Sequence, residues 1–356
     1  MTALPSQRKC WLTNQDGLDK LQRSESPLQQ PGDKEVLVKI NTVSLNYRDT
    51  EVCMGLYGHH KSVSQAASLI PCSDMCGTIV ATGKDSSFSK GSRVVSIFNQ
   101  THQTGQVQEK DMASGLGLPL PGVLTEYRVF PDCGLVPVPE YLSDEEACTL
   151  PIAALTAWIS IQGFQPISQP LRNQDITVLV QGTGGVSICG LQIAKACGLK
   201  AIVTSSSDEK LEKASKLGAD HTINYKKNPD WHEEVLRLTG GKGADIIFEC
   251  GGAQTLEKSF DCVAFGGLIS CIGYLSGKED AAGSRMNTNV LALKRNVTLK
   301  GILNGPKDRF EEMLRLYEEL EIHPAVDKVF PFDEAKEALQ YLFSGGHFGK
   351  VVVKIA

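Results

Sequence analysis

From about residue 175 the chain alternates short apolar runs with helix-periodic ones, and few folds accept that rhythm. ITVLVQG, KAIVTSS, HTINY, ADIIFECGG and GGLISCIGY read as strands. VSICGLQIAKACG, DEKLEKASKLG, DWHEEVLRLTGG and TLEKSFDCV lie between them with helical spacing. The alternation predicts a parallel sheet covered by crossover helices, a doubly wound α/β domain.

The first connection in that domain is a glycine turn, VLVQGTGGVSICG. Gly182, Gly184 and Ser187 occupy the three positions of a G-x-G-x-x-G pattern, and the turn runs through Thr183, Gly185 and Val186. The first glycine permits a sharp turn and the second admits a pyrophosphate to the backbone amides at a helix N-terminus. The third position wants a small residue, and Ser187 is a modest departure. A strand before the turn, a helix after it and further βα units behind make a dinucleotide the expected ligand.

About 20 residues beyond such a turn, an acidic residue commonly binds the ribose hydroxyls of NAD. Here the second strand ends in TSSS, with Ser205 near that offset and Ser206 after it. Hydroxyls donate to a 2′-phosphate, a carboxylate repels it, and Lys210 adds charge. The pattern favours NADPH. The competing reading makes the serines a helix cap. Ser206 with Glu209 fits a capping box, which would assign Asp208 and Glu209 to the first turn of the next helix.

The first 150 residues or so read mainly as short strands, among them EVLVKINTVSLN, GTIVATG, SRVVSIF and LTEYRVF. Residues 99–122, rich in Gln, Gly and Thr, read as a long surface loop. SDEEACTLPIAALTAWISI reads as a helix opened by a capping box of Ser143 and Glu146. Two helices and a closing strand, KVVVKI, follow residue 300.

The formal net charge is −5, with no basic run, which argues against nucleic acid or an anionic membrane as partner. The N-terminus lacks the apolar core of a signal peptide and no apolar run approaches the ~20 residues of a membrane span, so the chain reads as cytoplasmic. Eleven cysteines with no C-x-x-C pair read as buried, reduced thiols.

GTGGVSICGLQIAKACG, SSSDEKLEKASKLGADHTINY and GADIIFECGG, with VSLNYRD, GTIVATG, LTEYRVF, LPIAALTAW and FGKVVVKI, resemble the medium-chain dehydrogenase/reductase superfamily over nearly the whole chain. The resemblance implies a GroES-like β-rich catalytic domain, residues 1–157 completed by 305–356, and a Rossmann domain, residues 158–304. In zinc-dependent members the catalytic metal is held by Cys and His. The matching positions here are Asn46, Ser73 with Asp74, and Ile152, a poor zinc set. The four-cysteine structural zinc lobe has no counterpart in 99–122. The chain therefore looks more like the quinone oxidoreductase and enoyl reductase branches, in which NADPH delivers hydride to an electron-poor C=C or quinone.

Asn46 and Tyr47 follow a strand and are expected to face the nicotinamide. Tyr57, in MGLYG, matches a segment where enoyl reductases carry a proton-donating tyrosine. Each also has a plain reading, as a strand-end hydrogen bonder or as packing. Thr156, Leu303 and Asn304 match positions beside the nicotinamide; Gly251, Gly273 and Tyr274 end later parallel strands. Lys350 is expected either to reach the cofactor phosphates or to be a surface lysine opening an edge strand. His59, His60 and His347 read as solvated loop residues. A small-molecule substrate and a homodimer, paired through the last strand of the Rossmann sheet, complete the expectation. Carbonyl reduction, and a non-catalytic NADPH-binding role, remain as alternatives.

Overall fold

The computed structural model describes residues 4–58, 67–279 and 286–355. His59, His60 and the middle of the 56–70 loop lie outside the described residues. The chain forms two compact units, Met1–Leu155 with Gly305–Ala356, and Thr156–Asn304.

In chain order the first unit contributes strands β1 (Gln7–Leu12), β2 (Gln22–Pro27), β3 (Glu35–Leu45), β4 (Asp74–Thr82), β5 (Arg93–Ser96), β6 (Tyr127–Pro131) and β7 (Leu135–Pro137). The second contributes β8 (Thr177–Gln181), β9 (Lys200–Ser205), β10 (His221–Asn224), β11 (Ala244–Glu249), β12 (Val263–Cys271) and β13 (Thr298–Gly301). The chain then returns to the first unit with β14 (Val326–Pro331) and β15 (Lys350–Lys354). Helices α1 (Tyr47–Cys53), α2 (Glu109–Met112), α3 (Asp144–Ala147) and α4 (Leu155–Gln162) precede α5 (Gly185–Ala196), α6 (Asp208–Lys216), α7 (Trp231–Leu238), α8 (Leu256–Cys262) and α9 (Thr288–Arg295). The last two are α10 (Lys307–Leu320) and α11 (Ala335–Phe343).

The first unit is built on a seven-stranded sheet in the order β14-β15-β3-β4-β5-β7, with β6 also pairing β3. β15 lies antiparallel to β3, with Val351 opposite Leu45. Val36, Val38, Ile40, Met75, Ile79, Phe130, Val351 and Val353 share one buried core. This is the GroES-like domain. The second unit is the Rossmann domain, a six-stranded sheet in the order β10-β9-β8-β11-β12-β13. Every pairing in it is parallel. Strand order reverses between β8 and β11, so the carboxyl ends of these two strands flank the place where open α/β sheets bind ligands. The expected last strands, GGLISCIGY and NVTLKGIL, are β12 and β13, and β13 forms the edge.

Three local expectations need correction. Residues 99–122 are a surface loop only in part: most of 103–110 is exposed, but the two ends pack inward. Asn99, Gln100, His102, Asp111, Met112, Ser114, Leu116 and Leu118 are buried, and α2 lies among them. Several polar side chains at those ends bond internally: Thr101 Oγ1 donates to Asp111 at 2.9 Å and Gln100 Nε2 donates to the Ile97 carbonyl at 2.6 Å. Their composition reads as solvated, but their partners are internal. The helix expected over 143–161 is broken. α3 begins at the Ser143–Glu146 capping box, a π segment spans Leu150–Ala154, and α4 follows. Pro151 sits at the start of that segment and lacks the N–H that a continuous α-helix needs. Finally, α6 is capped by Ser207, whose hydroxyl accepts from Lys210 N at 3.4 Å, and not by Ser206.

The cysteines are all free thiols; nine are buried, Cys271 is half-buried, and Cys133 is exposed. No helix among the described residues is long and apolar enough to cross a membrane.

Candidate functional site

β8 is buried along its whole length and delivers the chain to Gly182, whose φ is +79°. Only glycine adopts that conformation readily. The space where its Cβ would stand is open to 4 Å. Gly182 N donates to the Thr204 carbonyl at 2.9 Å, which ties the turn to β9. Thr183 is buried, Gly184 caps α5 without a side chain, and Gly185 and Val186 open the helix. The first amides of a helix have no intrahelical acceptor and carry its positive end. The turn is therefore a cradle for an anionic group. Ser187 donates its hydroxyl to the Gln181 carbonyl at 2.7 Å. The serine in the third motif position thus closes the turn by a hydrogen bond that alanine or glycine would lack.

Ser205, at the tip of β9, is buried. Its Oγ accepts from Ser207 N at 3.3 Å, which leaves the hydroxyl proton for another acceptor. Ser206 and Lys210 are half-buried beside it. Asp208, the nearest carboxylate in sequence, is already engaged: Asn224 Nδ2 donates to it at 2.7 Å and Lys227 pairs with it. The Lys227 hydrogen bond holds its carboxyl below the usual range. Sequence reasoning missed Asn224, Tyr225 and Lys227. Asn224 lies opposite Ser205 in the sheet and Tyr225 N donates to the Ser205 carbonyl at 3.1 Å. The available signal was INYKK at the end of the strand flanking β9.

The loops after β11 and β12 are bound together. Leu275 N donates to the Cys250 carbonyl at 3.0 Å and Ser276 N to the Gly251 carbonyl at 2.7 Å. Gly273 N reaches the Glu249 carbonyl at 3.2 Å, and the Lys278 ammonium lies 4.6 Å from the centre of the Tyr274 ring. Thr156 is buried, Leu303 is exposed, and Asn304 has a φ of +94°.

In the first unit, β3, β4 and β15 bring a polar cluster to the N-terminus of α1. Asn46 is the N-cap of α1, and its N–H donates to Asp49 Oδ2 at 2.8 Å. Lys350 departs from both expectations, because its side chain is buried. The register of β15 on β3 places it beneath the end of β3, where its Nζ donates to the Leu45 carbonyl and to Asn46 Oδ1, each at 2.6 Å. Asp74, buried nearby, accepts from Ser73 Oγ at 2.7 Å and from Ile152 N at 3.0 Å. Burial pushes the Asp74 carboxyl up, opposed by Lys350, Ser73, Asn46 and the Ile152 amide. Burial pushes Asp49 up to about 7.

This donor set does not fit a zinc ion. Asn46 Oδ1 faces an ammonium, which would repel a dication, and Asp74 spends its oxygens on Ser73 and a backbone amide. The described residues hold no group of three or more His, Cys, Asp or Glu side chains arranged for a metal.

Tyr47 opens α1 and is 39% exposed, with its ring stacked 6.3 Å from that of Phe343. Burial, and then the Glu51 carboxylate, push its phenol up, so it stays protonated at neutral pH. Tyr57 packs against Val52, Leu69 and Leu118. The Arg48 guanidinium lies over its ring at 4.5 Å and over that of Phe98 at 4.8 Å, while donating to the Leu116 and Leu118 carbonyls. His347 is half-buried.

Residues 32–140 match the Alcohol dehydrogenase GroES-like domain, and residues 185–319 match the Zinc-binding dehydrogenase family. Zinc-type alcohol dehydrogenase-like protein C1773.06c of Schizosaccharomyces pombe is 43% identical over 346 residues, covering 95% of this chain and 96% of that one. Prostaglandin reductase-3 of Mus musculus is 26% identical over 354 residues, covering 94% of this chain and 84% of that one. The crystal structure of an NAD-dependent alcohol dehydrogenase superposes with a TM-score of 0.84 at 31% identity, covering 98% of this chain and all of the other.

Proposed function

The chain belongs to the medium-chain dehydrogenase/reductase superfamily, and from that premise we propose that it is a zinc-independent, NADPH-dependent reductase of an activated C=C or a quinone. The observation that carries the reading is the Lys350 ammonium bonded to Asn46. Where zinc-dependent relatives would polarise a substrate oxygen with a metal, this chain has an amide, hydroxyls and phenols. Oxidation of a simple alcohol gains most from a Lewis acid. Hydride addition to an electron-poor C=C or quinone asks less, because its charge develops on an oxygen already conjugated to the reacting carbon.

When bound, the cofactor supplies hydride. Gly182, Thr183, Gly184, Gly185 and Val186 would hold its pyrophosphate, and Ser205, Ser206 and Lys210 its 2′-phosphate. Thr156, Gly251, Gly273, Tyr274, Leu303 and Asn304 would line its remaining length. Asn46 would donate a hydrogen bond to the substrate oxygen as it gains charge. Tyr47 or Tyr57 would deliver the proton; burial and the Glu51 carboxylate hold the Tyr47 phenol up, which makes it a modest acid for that task.

The family relationship with an alcohol dehydrogenase-like protein and with a prostaglandin reductase keeps a second reading open, reduction of a ketone or aldehyde by the same groups. A panel of enones, quinones, ketones and aldehydes, followed by NADPH oxidation and product analysis, separates the two. Turnover of carbonyls with enones and quinones inert would overturn the first reading. Cofactor binding with no turnover of any of them would point to a non-catalytic NADPH-binding role.

A further inference from the structure

Glu249 ends β11 as a carboxylate only 1% exposed. Its Oε1 accepts from Gly251 N at 3.0 Å, from Gly252 N at 2.9 Å and from Thr255 Oγ1. Its Oε2 accepts from Gln181 Nε2 at 2.8 Å and from Ser259 Oγ. All of these donors are neutral. Gln181 completes the network: its Oε1 accepts from Cys250 N at 3.1 Å and Gly251 N at 3.2 Å, and its Nε2 also reaches Ser259 Oγ at 2.8 Å.

Burying a charge is costly unless hydrogen bonds replace its water. Here they do, and they all converge on one place. Gln181 is the residue before Gly182, and Gly251 and Gly252 form the turn after β11. The carboxylate therefore joins the ends of β8 and β11 to the start of α8, across the reversal of strand order in the sheet. Bonds to an ionised acceptor are shorter and stronger than neutral ones, so the joint is stiff.

We propose that Glu249 is a positioning residue for the cofactor: its carboxylate locks the Cys250–Gly252 turn to the end of β8 and so fixes the surface that takes the cofactor on the β11 side of the glycine turn. The inference rests on the reading of Gly182–Val186 as a cofactor cradle.

The donor pattern supplies the test. In Glu249→Gln one oxygen becomes an amide donor. Turned one way it meets the Gly251 and Gly252 amides; turned the other way it meets Gln181 Nε2. Either choice sets donor against donor. Combining it with Gln181→Glu restores the count. The new amide at 249 donates to the new carboxylate at 181, whose other oxygen still accepts from Cys250 and Gly251, while Ser259 keeps one donor and one acceptor partner.

NADPH and NADH titrations by intrinsic fluorescence should show Glu249→Gln, folded by circular dichroism, weakened about tenfold or more, and the double variant largely restored. The Michaelis constant for the cofactor should rise with the dissociation constant, while the Michaelis constant for the second substrate changes little. A group that only stabilises the fold would lower the melting temperature and leave the affinity of folded protein unchanged. If Glu249→Gln does not fold, Thr255→Val, which removes one donor and keeps the charge, should weaken binding a few-fold. Unchanged affinity in a folded Glu249→Gln or Thr255→Val variant, or a double variant as weak as the single one, overturns the inference alone. A wild-type chain that binds neither cofactor overturns the cradle reading and this inference with it.

Discussion

Ser205→Asp asks which cofactor the tip of β9 accepts. Ser205 is 4% exposed and its hydroxyl accepts a hydrogen bond from Ser207 N, so its proton is available to a phosphate oxygen. The carboxylate of Asp208, which could oppose such a phosphate, is tied to Asn224 and Lys227. The substitution removes a hydrogen bond to a charged group, worth roughly 1.5–3 kcal/mol. It also sets a carboxylate against a dianion; one pair of unit charges about 4 Å apart repels by about 4 kcal/mol near a protein surface. Allowing for solvent at the rim of the sheet, the loss for NADPH is roughly 3–6 kcal/mol, or about two to four powers of ten in affinity. NADH carries hydroxyls there, which a carboxylate can accept from, so its binding should hold or improve. The assay is the ratio of kcat/KM for NADPH to that for NADH, in wild type and variant. A wild type that already prefers NADH, or a variant with an unchanged ratio, would mean that the serines serve only the strand end and the helix cap.

Lys210→Ala should lower the same ratio more mildly, and the difference should shrink in high salt, since a half-exposed charge is partly screened. Asp49, raised to about 7 by burial, keeps its proton in the folded chain where the unfolded chain has lost it. Stability should therefore fall as pH rises from about 4 to about 7, by up to about 4 kcal/mol from this group. Arg48, Lys350 and the Asn46 amide oppose the upward shift, and Asp74 adds to it; Asp49→Asn should flatten the slope in denaturant melts between about pH 4 and 7, and an unaltered slope would refute the assignment. Gly190→Ala would place a Cβ 2.4 Å from Cε2 of the buried Phe248, so chemical denaturation should show a loss of about 1–3 kcal/mol from overpacking, and an unshifted midpoint would contradict it. Protein purified without chelator should carry well under one zinc per chain by elemental analysis; stoichiometric zinc, lost together with activity on chelation, would refute the zinc-independent assignment. Edge strand β13 is largely exposed, as are Val290 and Leu293 on α9, the helix that precedes it, and sedimentation should report a homodimer; a monomer mass independent of concentration would count against pairing through that edge.

The sequence by itself determined the Rossmann half, because every signal there is local. Alternating strand and helix periods, a glycine turn after a fully apolar strand and hydroxyls at the end of the next strand are all contained within about 30 residues, and the sheet formed around them. It also determined that Asn46, Ser73 and Ile152 make a poor zinc set, since that follows from residue type. Only the tertiary structure decided where charged and polar side chains find partners distant in the chain. Lys350 reads as a surface or ligand-facing lysine, yet β15 carries it beneath Asn46, 304 residues away. Residues 99–122 read as solvated because they are polar, yet both ends are buried, since polar side chains there, such as Thr101 and Gln100, bond to groups inside the protein. Ser206 and Ser207 are indistinguishable as caps until the length of β9 is known. Glu249 carries no motif: what sets it apart is five donors drawn from the end of β8, the turn after β11 and the start of α8, and that convergence exists only once the strands are side by side. Backbone periodicity is written along the chain, whereas the pairing of a buried charge depends on elements far apart in sequence, and a single chain records it nowhere.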